Sequence, residues 1–131
     1  MTTTQMPTSL TLSENEAVVM LHRLQNLTDE GHCEEVFEDE PGIDCAQAAE
    51  FAQQVVDLIN QKIYVLPIDH RVALEVLADS LEGSTFFGDA DDAVEDGEIS
   101  RQKLSAYKRA ANSAAAKIEK LIGRPVNAVL D

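Results

Sequence analysis

Apolar residues recur at helical spacing in four stretches of this 131-residue chain. The first follows Ser13 and Glu16, which have the spacing of a capping box: the hydroxyl accepts from an early backbone N–H, and the carboxylate reaches back to the cap. Ala17, Met20, Leu21, Leu24 and Leu27 then step by three and four, which predicts a helix of about 15 residues ending before Gly31. In the second stretch Asp44 and Gln47 form an Asp-x-x-Gln cap. Cys45, Ala48, Ala49, Ala52, Val55, Val56 and Ile59 then give a wide apolar face over residues 45–62. A third helix runs through Val72, Ala73, Val76, Leu77 and Leu81, with Asp69 as its cap and Gly83 at the C′ position, where positive φ is cheap. In the last, Leu104, Tyr107, Ala111, Ala114, Ile118 and Leu121 alternate steps of three and four. That is the spacing of a helix seam, its central alanines admit a close neighbour, and Gly123 and Pro125 supply the stop.

The intervening segments lack this pattern. Residues 1–12 are rich in Thr and Ser with Pro7 and no charged side chain, and read as a flexible lead-in. Ile63 to Ile68 is β-branched and aromatic, but with no evident strand to pair with it reads as an extended connector. Residues 29–44 and 83–97 read as irregular, with Phe86 and Phe87 folding back onto the core. The prediction is an all-α fold: a four-helix bundle-like single domain with two acidic loops. Its parts are a flexible N-terminal segment 1–12, a helical domain 13–124 and a C-terminal tail 125–131.

Composition adds a charge problem. The chain is 44% hydrophobic and 26% charged, in the range of folded proteins. Yet 24 Asp and Glu face 10 Lys and Arg, a net charge of −14 with a pI near 4.4. The imbalance is polarised: residues 1–98 hold 22 acids and three bases, a net of −19, whereas residues 99–131 hold seven bases against Glu119 and Asp131, a net of +5. Eight of the 16 residues from 29 to 44 are acidic, and six acids lie from Asp89 to Glu98. On a helical wheel Arg101, Lys108, Arg109, Lys117, Lys120 and Arg124 fall opposite the last seam.

This balance argues against direct binding to nucleic acid or anionic lipid, because phosphates are repelled at long range. The amino terminus lacks the basic and apolar regions of a secretory signal, and no apolar run approaches the ~20 residues of a membrane span. A cytoplasmic location is the expectation. Cys33 and Cys45 are too few for a disulfide framework, lie in no Cys-x-x-Cys context, and read as reduced thiols.

Sites of chemistry are thin. GSTFFGD spaces Gly83 and Gly88 like a phosphate loop, but puts Asp89 where a lysine is needed. Asp89, Asp91 and Asp92 offer oxygens to a hard cation without the spacing of an EF-hand loop. His32, Cys33 and Cys45 offer soft ligands without zinc-knuckle spacing, and the acids around Cys33 disfavour a thiolate nucleophile. No catalytic residue, metal ligand or cofactor site is assigned, and a non-enzymatic protein is expected.

The remaining signal is the acids themselves. Glu34, Glu35, Glu38, Asp39 and Glu40 form one candidate contact surface, and Asp89, Asp91, Asp92, Glu95 and Asp96 a second. Carboxylates displayed on a helical body imitate the phosphate ladder of a duplex, whose charges recur every ~1.7 Å of axis. On these two clusters the chain resembles, in general character, phage-encoded inhibitors that mimic DNA to block restriction or CRISPR enzymes. The resemblance implies a basic nucleic-acid-binding protein or complex as partner. The contrasting reading is a helical adaptor or homodimer that uses the alanine-rich last helix as its contact.

Overall fold

Ser13 opens the first helix as its spacing predicts: its Oγ accepts from the Glu16 backbone N–H, and Glu16 Oε1 accepts from the Ser13 N–H at 2.7 Å. The computed structural model describes residues 8–40, 42–68, 70–84 and 86–129. Among them a single, mostly helical domain contains strand β1 (Thr8–Thr11), helices α1 (Glu14–Leu27), α2 (Glu30–Val36) and α3 (Cys45–Asn60), strand β2 (Val65–Ile68), and helices α4 (Arg71–Glu82), α5 (Phe86–Glu95) and α6 (Arg101–Ile122).

Helix α1 is the centre of the domain. It packs against α3, α4 and α6, and Ala17, Val19, Met20, Leu24 and Leu27 are all buried. Such burial spreads over more than one side of the helix, as three neighbours require. Ala111, Ala114 and Ile118 of α6 are fully buried and Ala115 nearly so, and their small side chains let α6 lie close against α1 and α4. Gly123 ends α6 in the left-handed conformation, φ 80°, the geometry in which glycine escapes the Cβ penalty.

The all-α, four-helix expectation requires correction in three places. First, β1 and β2 form a two-stranded antiparallel sheet, with Thr8 opposite Ile68, Ser9 opposite Pro67, Leu10 opposite Leu66 and Thr11 opposite Val65. Leu10 and Leu66 bury one face of the pair, while Ser9, Thr11 and Val65 face out. The expected lead-in thus supplies the missing partner for the expected connector, from more than fifty residues away, where local pattern carries no information. Residues 1–7 lie outside the described residues.

Second, both acidic segments contain helices rather than loops alone. Asp29 caps α2 by accepting from the His32 N–H, and α5 begins at Phe86. Each buries too little to advertise itself: Cys33 in α2, and Phe87 and Ala90 in α5. Third, part of the expected tail is packed. Val126 is buried, its N–H donates to Glu119 Oε1, and the Val129 N–H donates to the Leu81 carbonyl.

The caps of α4 also differ. His70 is the N-cap, its Nδ1 accepting from the Ala73 N–H, and Asp69 lies outside the described residues. Gly83 has φ −106°, so positive φ does not explain it. A Cβ there would stand 3.0 Å from both Arg23 Nη2 and Asp79 Oδ1, so glycine makes room for an ion pair. Among the described residues no helix is long and apolar enough to cross a membrane.

Candidate functional site

The first acidic group is carried by α2 and the turn after it. Burying Cys33 against the core turns Glu34 and Glu35 outward, and Glu38, Asp39 and Glu40 follow Phe37, whose buried ring anchors the turn. The second group is carried by α5, where Phe87 and Ala90 face inward and Asp89, Asp91, Asp92, Glu95 and the following Asp96 are exposed. Both groups border α1 at adjacent residues. Arg23 Nη1 lies 3.4 Å from His32 Nε2 of α2, and His22 Nε2 lies 3.1 Å from Asp89 Oδ2 of α5.

Among the described residues, none of these ten acids meets a lysine or arginine, and Asp89 alone has a side-chain partner, the imidazole of His22. Three of the ten arginines and lysines pair with other carboxylates among the described residues. Arg23 Nε donates to Asp79 at 2.9 Å, Lys117 to Glu16 at 2.6 Å, and Arg124 to Glu75 and Glu82 at 3.1 and 3.4 Å. Lys117 also donates to the Thr11 carbonyl, tying α6 to the end of β1 and the start of α1. The basic face expected to point away from the seam therefore turns two of its members, Lys117 and Arg124, back into the fold.

Two titrations follow from burial and partners. Burial by itself raises the Glu16 carboxyl, but the hydrogen bonds from Lys117 and the Ser13 backbone to its Oε1 outweigh it and hold the group below its ordinary value. The Glu75 and Glu82 carboxylates hold the Arg124 guanidinium above its ordinary value against the opposing effect of burial.

The cysteine and histidine candidates do not assemble. Cys33 Sγ is buried and donates to the Leu27 carbonyl at 3.0 Å. Burial and the nearby Cys45, Asp29 and Asp79 push its thiol up to about 11, which keeps it protonated and works against a nucleophile. Cys45 is also a free thiol, packed at the edge of the core. Gly83 caps α4 and Gly88 lies inside α5, so these two glycines do not line a loop ahead of a helix as a phosphate loop requires. Among the described residues, no three His, Cys, Asp or Glu side chains converge as a metal site.

Pattern reading missed a groove beside the second acidic group. Val18, Ala93 and Ile99 contribute apolar lining, Phe86 and Tyr107 aromatic rings, and Asp89 and Glu98 carboxylates; its volume is about 330 Å³. The Phe86 ring meets Tyr107 edge-on at 5.3 Å and His22 at 6.0 Å. His22 Nδ1 is buried with no hydrogen-bond partner among the described residues, which favours the tautomer that places the proton on Nε2, facing Asp89. A signal was present in Phe86, Ala90 and Ala93, spaced by four and three, which mark one face of a helix in a segment rich enough in acid to pass for a loop.

The alanine seam proposed as an adaptor contact is consumed inside the chain by α1 and α4. Comparison of the chain with protein-family models, curated proteins and solved structures finds no match.

Proposed function

We propose that this protein is a non-enzymatic acidic inhibitor that binds the basic groove of a DNA- or RNA-processing protein, in the manner of phage anti-CRISPR or anti-restriction proteins. The supporting observation is the division of labour among the carboxylates. Those that meet a lysine or arginine, Glu16, Glu75, Asp79 and Glu82, tie elements of the fold together, whereas nine of the ten candidate contact acids have no ion-pair partner among the described residues. Crowding like charges within a screening length of ~8 Å opposes folding, so an unpaired display asks for a use outside the fold.

Helices α2 and α5 carry Glu34, Glu35, Asp89, Asp91, Asp92 and Glu95 on short stretches of regular backbone. A basic protein groove that accepts phosphates meets instead a set of fixed carboxylates, which displace its counterions as a nucleic acid does. The test is capture of partners from a bacterial lysate on the immobilised protein, followed by challenge with excess duplex DNA. Release of a basic nucleic-acid enzyme by DNA, and loss of its capture by the triple variant Glu34→Lys, Glu35→Lys, Glu38→Lys with helicity intact, is the expected result. Capture that is indifferent both to DNA and to the triple variant overturns the reading.

A further inference from the structure

The groove between α1, α5 and α6 has features that an acidic surface alone does not supply. It is open, and its lining includes the apolar side chains of Val18, Ala93 and Ile99, the Tyr107 ring and two carboxylates, Asp89 and Glu98. Asp89 is 73% exposed, and His22 engages only its Oδ2. No lysine or arginine lines the groove.

We propose that this groove receives an arginine side chain of the basic partner, a proposal that rests on the acidic-inhibitor reading above and places one anchor of that contact. The aliphatic stem of the arginine lies along Val18, Ala93 and Ile99, so its methylenes lose water contact while its charge stays at the mouth. The guanidinium meets Asp89 and Glu98, to which it donates from its planar fork. Tyr107 offers a ring for stacking, and the protein already shows that this ring tolerates a cation: Lys103 Nζ lies 4.9 Å from its centroid. A buried anchor ringed by exposed like charges is how contact energy concentrates in an interface. Arginine fits better than lysine because a planar group can stack and donate at once, whereas an ammonium is a hydrated point charge.

The proposal is tested with two synthetic peptides, one alternating arginine with serine and one alternating lysine with serine, titrated into the full chain at low salt by calorimetry and by heteronuclear NMR. The arginine peptide should shift the signals of His22, Ala93, Ile99 and Tyr107 and bind more tightly than the lysine peptide. Ala93→Leu fills the groove without changing charge, and Glu98→Gln removes one carboxylate without touching His22. Each should weaken arginine-peptide binding about five- to tenfold. Asp91→Asn changes the same net charge outside the groove and should weaken it less than about twofold. If Ala93→Leu binds as wild type and Glu98→Gln equals Asp91→Asn, the groove is no anchor and the proposal falls, while binding that still needs the α2 acids leaves the acidic-inhibitor reading standing. If the wild-type protein binds neither peptide, both fall.

Discussion

Glu16 and Asp91 are both carboxylates on helices of the same small domain, but their situations are opposite. Glu16 is 1% exposed, completes the capping box of α1 and receives Lys117 from α6, so one side chain both closes its own helix start and joins it to α6. Asp91 stands exposed on α5 among other acids, with no ion-pair partner among the described residues. The contrast extends to their regions. Where α1, α4 and α6 meet, charge is paired and tied to the packing. Around α2 and α5, charge is left facing solvent and each helix is held by one or two buried side chains. A net charge of −14 is therefore not spread evenly over the fold's energetics. A small set of acids stabilises it, and a larger set is carried at a cost.

Breaking the paired side should have the largest effect. Lys117→Met leaves Glu16 buried without its cation, and the expected loss is about 3 kcal/mol, because an uncompensated buried charge costs more than the pair contributed. Urea unfolding at neutral pH measures it, and a loss below about 0.5 kcal/mol would show that water or Ser113 replaces the lysine. The same pair gives an acid limb. The folded Glu16 carboxyl lies below its unfolded value. Its contribution is therefore fully present above the unfolded pKa and is lost as pH falls through the folded one. Glu16→Gln should be less stable than wild type at neutral pH, and the gap should close on acidification from about pH 5 downward. A gap that is constant with pH would mean that shape and capping, not charge, make up the Glu16 contribution.

The unpaired side should respond in the opposite sense. Neutralising Glu34, Glu35, Glu38, Asp39 and Glu40 to their amides removes repulsion and no ion pair, so the melting temperature should rise by about 2–4 °C at low ionic strength. Wild type should also gain stability with salt up to physiological strength, and the five-amide variant should gain less. Destabilisation of the variant, or equal salt responses in the two proteins, would place these acids among those that hold the fold together and remove the contrast.

The same contrast governs what the sequence reveals. Helices α1, α3 and α6 were legible because many buried residues recur at steps of three and four, and because Ser13, Asp44 and Gly123 each mark one of their ends. Helix α2 was not, since a helix with Cys33 as its one buried residue has no period to read. The sheet was hidden for a different reason: Thr8–Thr11 is short, and only its partner 57 residues later makes it a strand. The acidic residues were visible as residues, but their lack of partners was not, because it depends on Lys117 and Arg124 turning toward Glu16 and Glu75. The groove draws Val18, Ala93, Ile99 and Tyr107 from three helices and a turn, and no local pattern joins them.

The smallest effect tests the boundary between the two regions. Arg23 reaches Asp79 of α4 through Nε and faces His32 of acidic α2 through Nη1, and both members of the Arg23–Asp79 pair are 17% exposed. Gly83 clears the space beside them, with 3.0 Å between a built Cβ and each of Arg23 Nη2 and Asp79 Oδ1. Its φ of −106° is open to alanine, so Gly83→Ala should gain some stability through the unfolded chain and lose more by pushing the pair apart. The net expected loss is about 0.5–1 kcal/mol. In an Arg23→Ala background the arginine contacts are gone and the Asp79 carboxylate, released from its ion pair, is free to turn away, so the same substitution should become neutral or stabilising. A double-mutant cycle by chemical denaturation separates the two terms. Additive effects would mean that Gly83 does not serve the ion pair.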